Sequence, residues 1–146
     1  MPIYDGVGGG WKNPDDGVIK KLLDTSRTIA VVGMSSNPDR PSYGVSEFLI
    51  SAGYNVIPVN PKEKEILGQR SYPDLKSITD KIDIVDVFRK PNAAPEIVKE
   101  AVEIGASAVW LQESVLSYDA FATGEKAGLT MIMDRCIFKE YHRLFG

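Results

Sequence analysis

The chain has 146 residues, 43% of them apolar, and a formal net charge of −3. That suffices for one domain with its own core, gives no global attraction to nucleic acid, and comes with no Lys/Arg cluster that would create a local one. No apolar run approaches the roughly 18 residues of a membrane span, and a single cysteine excludes an internal disulfide.

The N-terminus "MPIYDGVGGGWKNP" lacks a basic stretch followed by an apolar core, so it reads as no signal peptide; with the lone cysteine this predicts a cytoplasmic protein. Residues 1–13 read as a flexible N-terminal segment around "GVGGG", ahead of a single domain over 14–146. "GVGGGW" fails as a dinucleotide fingerprint, because Trp11 stands where the last glycine belongs and no strand precedes it.

Asn13 as cap, Pro14 in the first position and Asp15 and Asp16 at the positive end predict a first helix. Val18, Ile19, Leu22 and Leu23 supply its apolar face. "TIAVVG" then reads as a buried strand. Val45, Phe48, Leu49 and Ala52 recur at helical spacing and predict a helix over 43–52, ended by Gly53. "NVIPV" is the second strand. A looser stretch from Asn60 to Lys81 leads to the third, "DIVDVF". Ala94, Ile97, Val98 and Ala101 mark another helix, closed by Gly105. "SAVWL" is strand four, residues 118–127 form a helix between Ser117 and Gly128, "LTMIMD" is strand five, and Ile137 to Phe145 make the last helix.

Strands that are apolar throughout and alternate with helices predict an α/β fold. It is a doubly wound, parallel, five-stranded Rossmann-like sheet with helices on both faces. Right-handed crossovers favour the order 3-2-1-4-5. Ligands of such sheets bind beyond the carboxyl ends of the strands, so 34–42, 60–64, 89–92, 112–116 and 134–136 are the segments to read for function.

The first of them lies in "VVGMSSNPDRPSYGV". Gly33 admits close backbone approach, the helix start near Ser42 and Tyr43 offers free N–H groups, and Ser35, Ser36 and Ser42 add hydroxyls. Arg40 adds a planar cation suited to phosphate oxygens, and Gly44 is expected to allow a tight helix start. These parts suit a pyrophosphate. The loop is no Walker motif, no G-x-G-x-x-G and no G-x-S-x-G elbow. The second strand ends in "NPKEKEI": where an NAD site wants an acid for the ribose, Asn60 and Pro61 stand, followed by Lys62 and Lys64 with Glu63 between them. That favours a ligand with an extra phosphate near its ribose, coenzyme A or NADP. The third ends in "FRKPN", which adds Arg89 and Lys90, with Phe88 placed to line an adenine pocket.

Catalytic groups are sparse. Cys136 and His142 are the only Cys and His and lie six residues apart, on different faces if both are helical. Cys136 reads as a small buried residue at a strand-to-helix turn, with a disulfide to the CoA thiol as the functional alternative; His142 reads as a surface or packing residue of the last helix. Asp86 inside an apolar strand reads as a hydrogen-bonded or Arg-paired acid, Glu113 as a general-base candidate without a visible partner, and Trp11 and Trp110 as packing aromatics. No metal-ligand spacing is present, so no metal is expected.

The segments "VVGMSSNPDRPSYGV", "GYNVIPVNPK", "ILGQRSYPDL", "DIVDVFR", "AVWLQ" and "GLTMIMDRCI" together resemble the small stand-alone CoA-binding proteins. Their domain is similar to the CoA-binding Rossmann domain of the succinyl-CoA synthetase alpha subunit. The resemblance covers about residues 17–146. It implies the CoA pyrophosphate at Gly33, Ser35 and the following helix, Arg40 and Lys62 near phosphates, and Val59, Asn60, Phe88 and Arg89 around the adenosine. Gln112 would lie near the pantetheine arm. The candidate cofactor-binding set is Gly33, Met34, Ser35, Ser36, Arg40, Ser42, Tyr43, Val59, Asn60, Lys62, Phe88, Arg89, Lys90 and Gln112. The ligases also carry a second domain with a phosphorylatable histidine; no counterpart is expected here, so the ligase reaction does not carry over. The expectation is a non-catalytic module for CoA or acyl-CoA, with no nucleic-acid or membrane partner. Its alternatives are a small NADP-type oxidoreductase domain, or a regulatory or interaction subunit sensing a nucleotide metabolite, presenting an apolar patch on "CIFKEYHRLF". The sequence assigns no oligomeric state.

Overall fold

The computed structural model describes residues 11–146. In chain order the elements are α1 (Asp16–Thr25), β1 (Thr28–Val32), α2 (Pro41–Ser51), β2 (Asn55–Val59), a short pair β3 (Glu65–Ile66) and β4 (Gln69–Arg70), β5 (Ile84–Val87), α3 (Ala94–Glu103), β6 (Ala108–Leu111), α4 (Tyr118–Lys126), β7 (Thr130–Ile132) and α5 (Ile137–Phe145). The glycine run of the N-terminal segment lies outside the described residues. At the described end of that segment, Trp11 sits on Tyr118 and Phe121, with ring centroids 6.1 and 5.7 Å away.

Asn13 is not the cap of α1. Its amide Nδ2 donates to the Met133 carbonyl (2.9 Å) and its Oδ1 accepts from the Met133 N–H (2.7 Å), pairing the backbone just past β7. Asp15 caps instead, its carboxylate accepting from the Val18 N–H at 3.0 Å. α2 begins two residues before the expected 43, because Pro41 suits a first helical turn.

β2-β1-β5-β6-β7 form one parallel sheet. Counting the principal strands one to five, the order is 2-1-3-4-5, so the expected 3-2-1-4-5 is corrected while the Rossmann-like fold stands. The reason lies in the 60–72 stretch. After β2 the chain turns through β3 and β4 and returns along the outer side of β2, where Tyr72 bridges Val59. The Tyr72 N–H donates to the Pro58 carbonyl (3.0 Å) and the Asn60 N–H to the Tyr72 carbonyl (2.9 Å). With that edge covered, the third strand joins the free side of β1. Asp83 fixes the register: its carboxylate accepts the Arg27 and Thr28 N–H groups, both at 2.9 Å.

Every position of β5 and β6 is buried, as a sheet covered on both faces requires. Ala30, Val32, Val85, Val87 and Val109 face a core completed by α3 and α4 through Ile97, Val98 and Phe121. Ile29, Val31, Ile84 and Trp110 face the other, with α1, α2 and α5 contributing Ile19, Leu23, Leu49 and Ile137. Arg143 locks α5 to α1. Its guanidinium makes a bidentate pair with Asp16 (2.9 and 2.8 Å) and two bonds to Glu140 (2.9 and 3.0 Å), whose side chain is buried. Those carboxylates hold the Arg143 pKa well above its ordinary value, and the Asp16 carboxyl lies below its own because of Arg143. Arg143→Ala leaves the Glu140 carboxylate without its partner, so we expect a lower urea unfolding midpoint at neutral pH. Glu140→Gln in the same background should recover most of the drop.

Candidate functional site

In a 2-1-3-4-5 sheet the winding reverses between the first and third strands, and the crevice opens there. A cleft of about 980 Å³ lies at that point, past the carboxyl ends of β1, β2, β5 and β6. This is the size expected of a ligand site.

The loop after β1 forms its first wall. Gly33 adopts φ +85° and donates its N–H to the Val59 carbonyl at 3.0 Å. The loop then closes on itself. The Ser35 N–H donates to Ser42 Oγ (3.1 Å), the Asn37 N–H to Ser35 Oγ (3.0 Å) and the Asp39 N–H to Asn37 Oδ1 (2.9 Å). Both serine oxygens are thus acceptors inside the loop, and each keeps its hydroxyl hydrogen to donate outward. α2 starts at the cleft with no side-chain cap; Pro41 has no N–H and the Tyr43 N–H donates to the Arg40 carbonyl (3.0 Å), which leaves the Ser42 N–H and the helix's positive end available. Gly44 is exposed and a Cβ there would meet no atom within 4 Å, so the expected tight helix start is not what it provides.

The loop after β2 is tied to the first one. Asn60 Nδ2 donates to the Met34 carbonyl (2.9 Å), and Asn60 Oδ1 accepts from the Lys62 N–H (2.8 Å). Glu63 accepts from the Ser36 N–H at 3.2 Å, so this acid braces the two loops. Arg89 and Lys90 follow β5. Arg40, Lys62, Arg89 and Lys90 therefore converge on one cleft, and none of them makes an ion pair among the described residues.

Eleven of the fourteen expected residues line the cleft: Gly33, Ser35, Arg40 and Ser42; Val59, Asn60 and Lys62; Phe88, Arg89, Lys90 and Gln112. Three do not. Met34 is fully buried in the α2-side core, Ser36 turns its N–H to Glu63, and Tyr43, in the first turn of α2, is not among the lining residues. The lining also includes Pro41, Val45, Pro61, Pro91, Glu113, Ser114, Val115 and Cys136, which were not in the expected set. All but Val45 fall in the segments after the strands that the sequence marks for function; Val45 lies further along, inside α2.

Under the floor sits Asp86, fully buried in β5. One carboxylate oxygen accepts from Gln112 Nε2 at 2.5 Å; the other, Oδ2, has no partner. Burial pushes its pKa up to about 7, and the Gln112 bond pulls the other way. Its partner is thus an amide, where an Arg or backbone was expected. Glu113 is corrected too: Lys139 reaches both of its oxygens at 3.0 and 3.1 Å, so it is no free base. Cys136 is the N-cap of α5 and partly exposed at the cleft, not a buried filler. His142 is elsewhere, its ring against Phe48 and Phe138 with centroids at 4.8 and 4.4 Å. Trp110 is a packing residue whose Nε1 donates to the Arg135 carbonyl. Among the described residues no group of three His, Cys, Asp or Glu could hold a metal ion, and no helix is long and apolar enough to cross a membrane.

A parallel sheet of this order, with an open cleft at its switch point, defines a Rossmann-like domain. Residues 27–142 match the CoA binding domain family, and the chain belongs to it. It is 42% identical over 126 residues to the uncharacterized protein YneT of Bacillus subtilis, covering 86% of this chain and 93% of that one. It is 26% identical over 102 residues to ADP-forming acetate–CoA ligase II of Archaeoglobus fulgidus, covering 68% of this chain but 15% of the ligase. Among solved structures, a hypothetical protein from Pyrococcus horikoshii OT3 superimposes with a TM-score of 0.89 at 37% identity, over 100% of this chain and 97% of that one. A Thermus thermophilus protein superimposes with a TM-score of 0.86 at 33% identity, over 90% and 100%.

Proposed function

We propose that the cleft binds coenzyme A or an acyl-CoA, and that the chain acts as a binding module without catalysis of its own. The observation that carries this is the convergence of Arg40, Lys62, Arg89 and Lys90 with the uncapped start of α2 at one switch-point cleft of a CoA-binding family domain. The pyrophosphate rests on the Gly33–Ser42 loop and α2, Lys62 meets the 3′-phosphate, and Val59 and Phe88 flank the adenine. The arm leaves past Gln112. Charge-assisted hydrogen bonds contribute about 1.5–3 kcal/mol each. Three or four of them, before association costs, cover the roughly 8 kcal/mol of micromolar binding. For the acid–base groups nearest the cleft, Glu113 is neutralised by Lys139 and Asp86 lies beneath the floor, which supports binding over turnover.

Calorimetric titration with CoA, dephospho-CoA and NADP tests the proposal. CoA is expected to bind at micromolar Kd or tighter. Removal of the 3′-phosphate, or Lys62→Ala, should weaken binding about tenfold, equivalent to ~1.4 kcal/mol. NADP binding without CoA binding would overturn the reading.

A further inference from the structure

We infer that Cys136 is a thiol-exchange site for the CoA thiol, so that the cleft can hold CoA as a mixed disulfide; this rests on the CoA reading above. Cys136 is the only cysteine of the chain, partly exposed, and lines the cleft at the end opposite the cations. Its place is set by the loop before α5. The Arg135 carbonyl accepts from Trp110 Nε1 (2.9 Å), the Arg135 N–H donates to the Leu111 carbonyl (3.4 Å), and Asp134 accepts from the Ser114 N–H (2.8 Å). These bonds stitch the β7–α5 loop, which carries Cys136, to the β6–α4 loop, which carries Gln112.

Gln112 independently marks this end as a ligand site. It lines the cleft and is 5% exposed, its Nε2 is committed to Asp86, and its Oε1 makes no hydrogen bond among the described residues. An amide carbonyl left open on a residue that lines the cleft suits an N–H donor, and the pantetheine arm carries two amides. The reach agrees. From the pyrophosphate loop after β1 to the loop after β7 is three strand spacings, about 14 Å. The arm from phosphate to thiol has roughly thirteen bonds, or about 15 Å at a backbone-like rise.

The step is thiol–disulfide exchange with a disulfide of CoA as oxidant. The Cys136 thiolate attacks one sulfur of the CoA disulfide, the Cys136–CoA S–S bond forms as the original one breaks, and the leaving CoA thiolate takes up the proton that Cys136 gave to solvent. One disulfide is exchanged for another, with no net change of redox state. A thiol such as reduced CoA or glutathione reverses it.

The experiment is intact-mass analysis of the full chain treated with CoA disulfide, and separately with cystamine, which has the same cysteamine end but no nucleotide. Binding at the cleft raises the local concentration of the disulfide, so CoA disulfide is expected to label at least about tenfold faster than cystamine at equal micromolar concentration. One CoA should add per chain, none in Cys136→Ser, and desulfo-CoA should suppress the labelling. No adduct, or equal rates for the two reagents, overturns the inference. Calorimetry of Cys136→Ser with desulfo-CoA separates the two levels. If it binds while the wild type takes no adduct, the exchange site fails and the CoA reading stands; if it does not bind, both fail.

Discussion

Gly33→Ala is expected to destabilise the fold by about 3 kcal/mol and to weaken CoA binding at least tenfold. Gly33 ends β1 at φ +85°, a conformation that costs a side-chain-bearing residue roughly 1–2 kcal/mol. A Cβ at this position would stand 2.5 Å from the Phe88 carbonyl oxygen and 2.8 Å from Arg89 Cδ. The first obstacle is backbone and cannot swing aside. It belongs to the strand end whose Phe88 N–H donates to the Val32 carbonyl at 2.9 Å, so relief means parting β1 from β5 where the cleft opens. The second obstacle is a flexible side chain, but moving it displaces one of the converging cations. Both effects act together, which is why stability and affinity should fall together. Urea unfolding midpoints and CoA titration below the variant's melting range check this. A variant with wild-type midpoint would show that the loop yields, and that glycine is not required there.

The parallel layers were legible because β5 and β6 read as unbroken apolar runs and the helices repeat at 3.6-residue spacing. The positions of the loops followed from the strand ends, so most of the cleft was legible too. What escaped are facts set by partners remote in sequence. The side of β1 on which the third strand lies depends on Tyr72 covering β2, and periodicity carries no trace of that pairing. Asn13 has the chemistry of a cap, but it is held by the backbone of Met133. Glu113 has no charge near it in sequence, yet Lys139 on α5 neutralises it. Glu63 reads as a solvated acid between lysines and is in fact the brace between the two phosphate-side loops. Residue type told which groups could act; only the fold told which were already occupied.

Asp86→Asn is expected to remove a pH dependence of stability that the wild type carries. The Asp86 carboxyl titrates at about 7 in the folded protein against an ordinary 3.8, because burial disfavours its charge. Between those values the folded state holds a proton that the unfolded chain has released. Stability therefore falls as pH rises from about 4 to about 7 and stays reduced above, by roughly 4 kcal/mol in all and about 3 of it between pH 5 and pH 8. Asparagine keeps an oxygen for Gln112 Nε2 and leaves an NH₂ in place of an oxygen that already lacks a partner, at a cost of about 1–3 kcal/mol. The variant should thus equal or exceed the wild type at pH 8 and lose that advantage at pH 5. Parallel pH profiles in urea unfolding would sink the assignment. A carboxyl that weakens the core is explained by what it holds: its accepting oxygen fixes the side-chain amide of Gln112, a residue that lines the cleft. Asp86→Leu separates the two roles. It should raise stability at pH 8 while weakening CoA about tenfold, and leave adenosine 3′,5′-bisphosphate, which lacks the arm, bound as before.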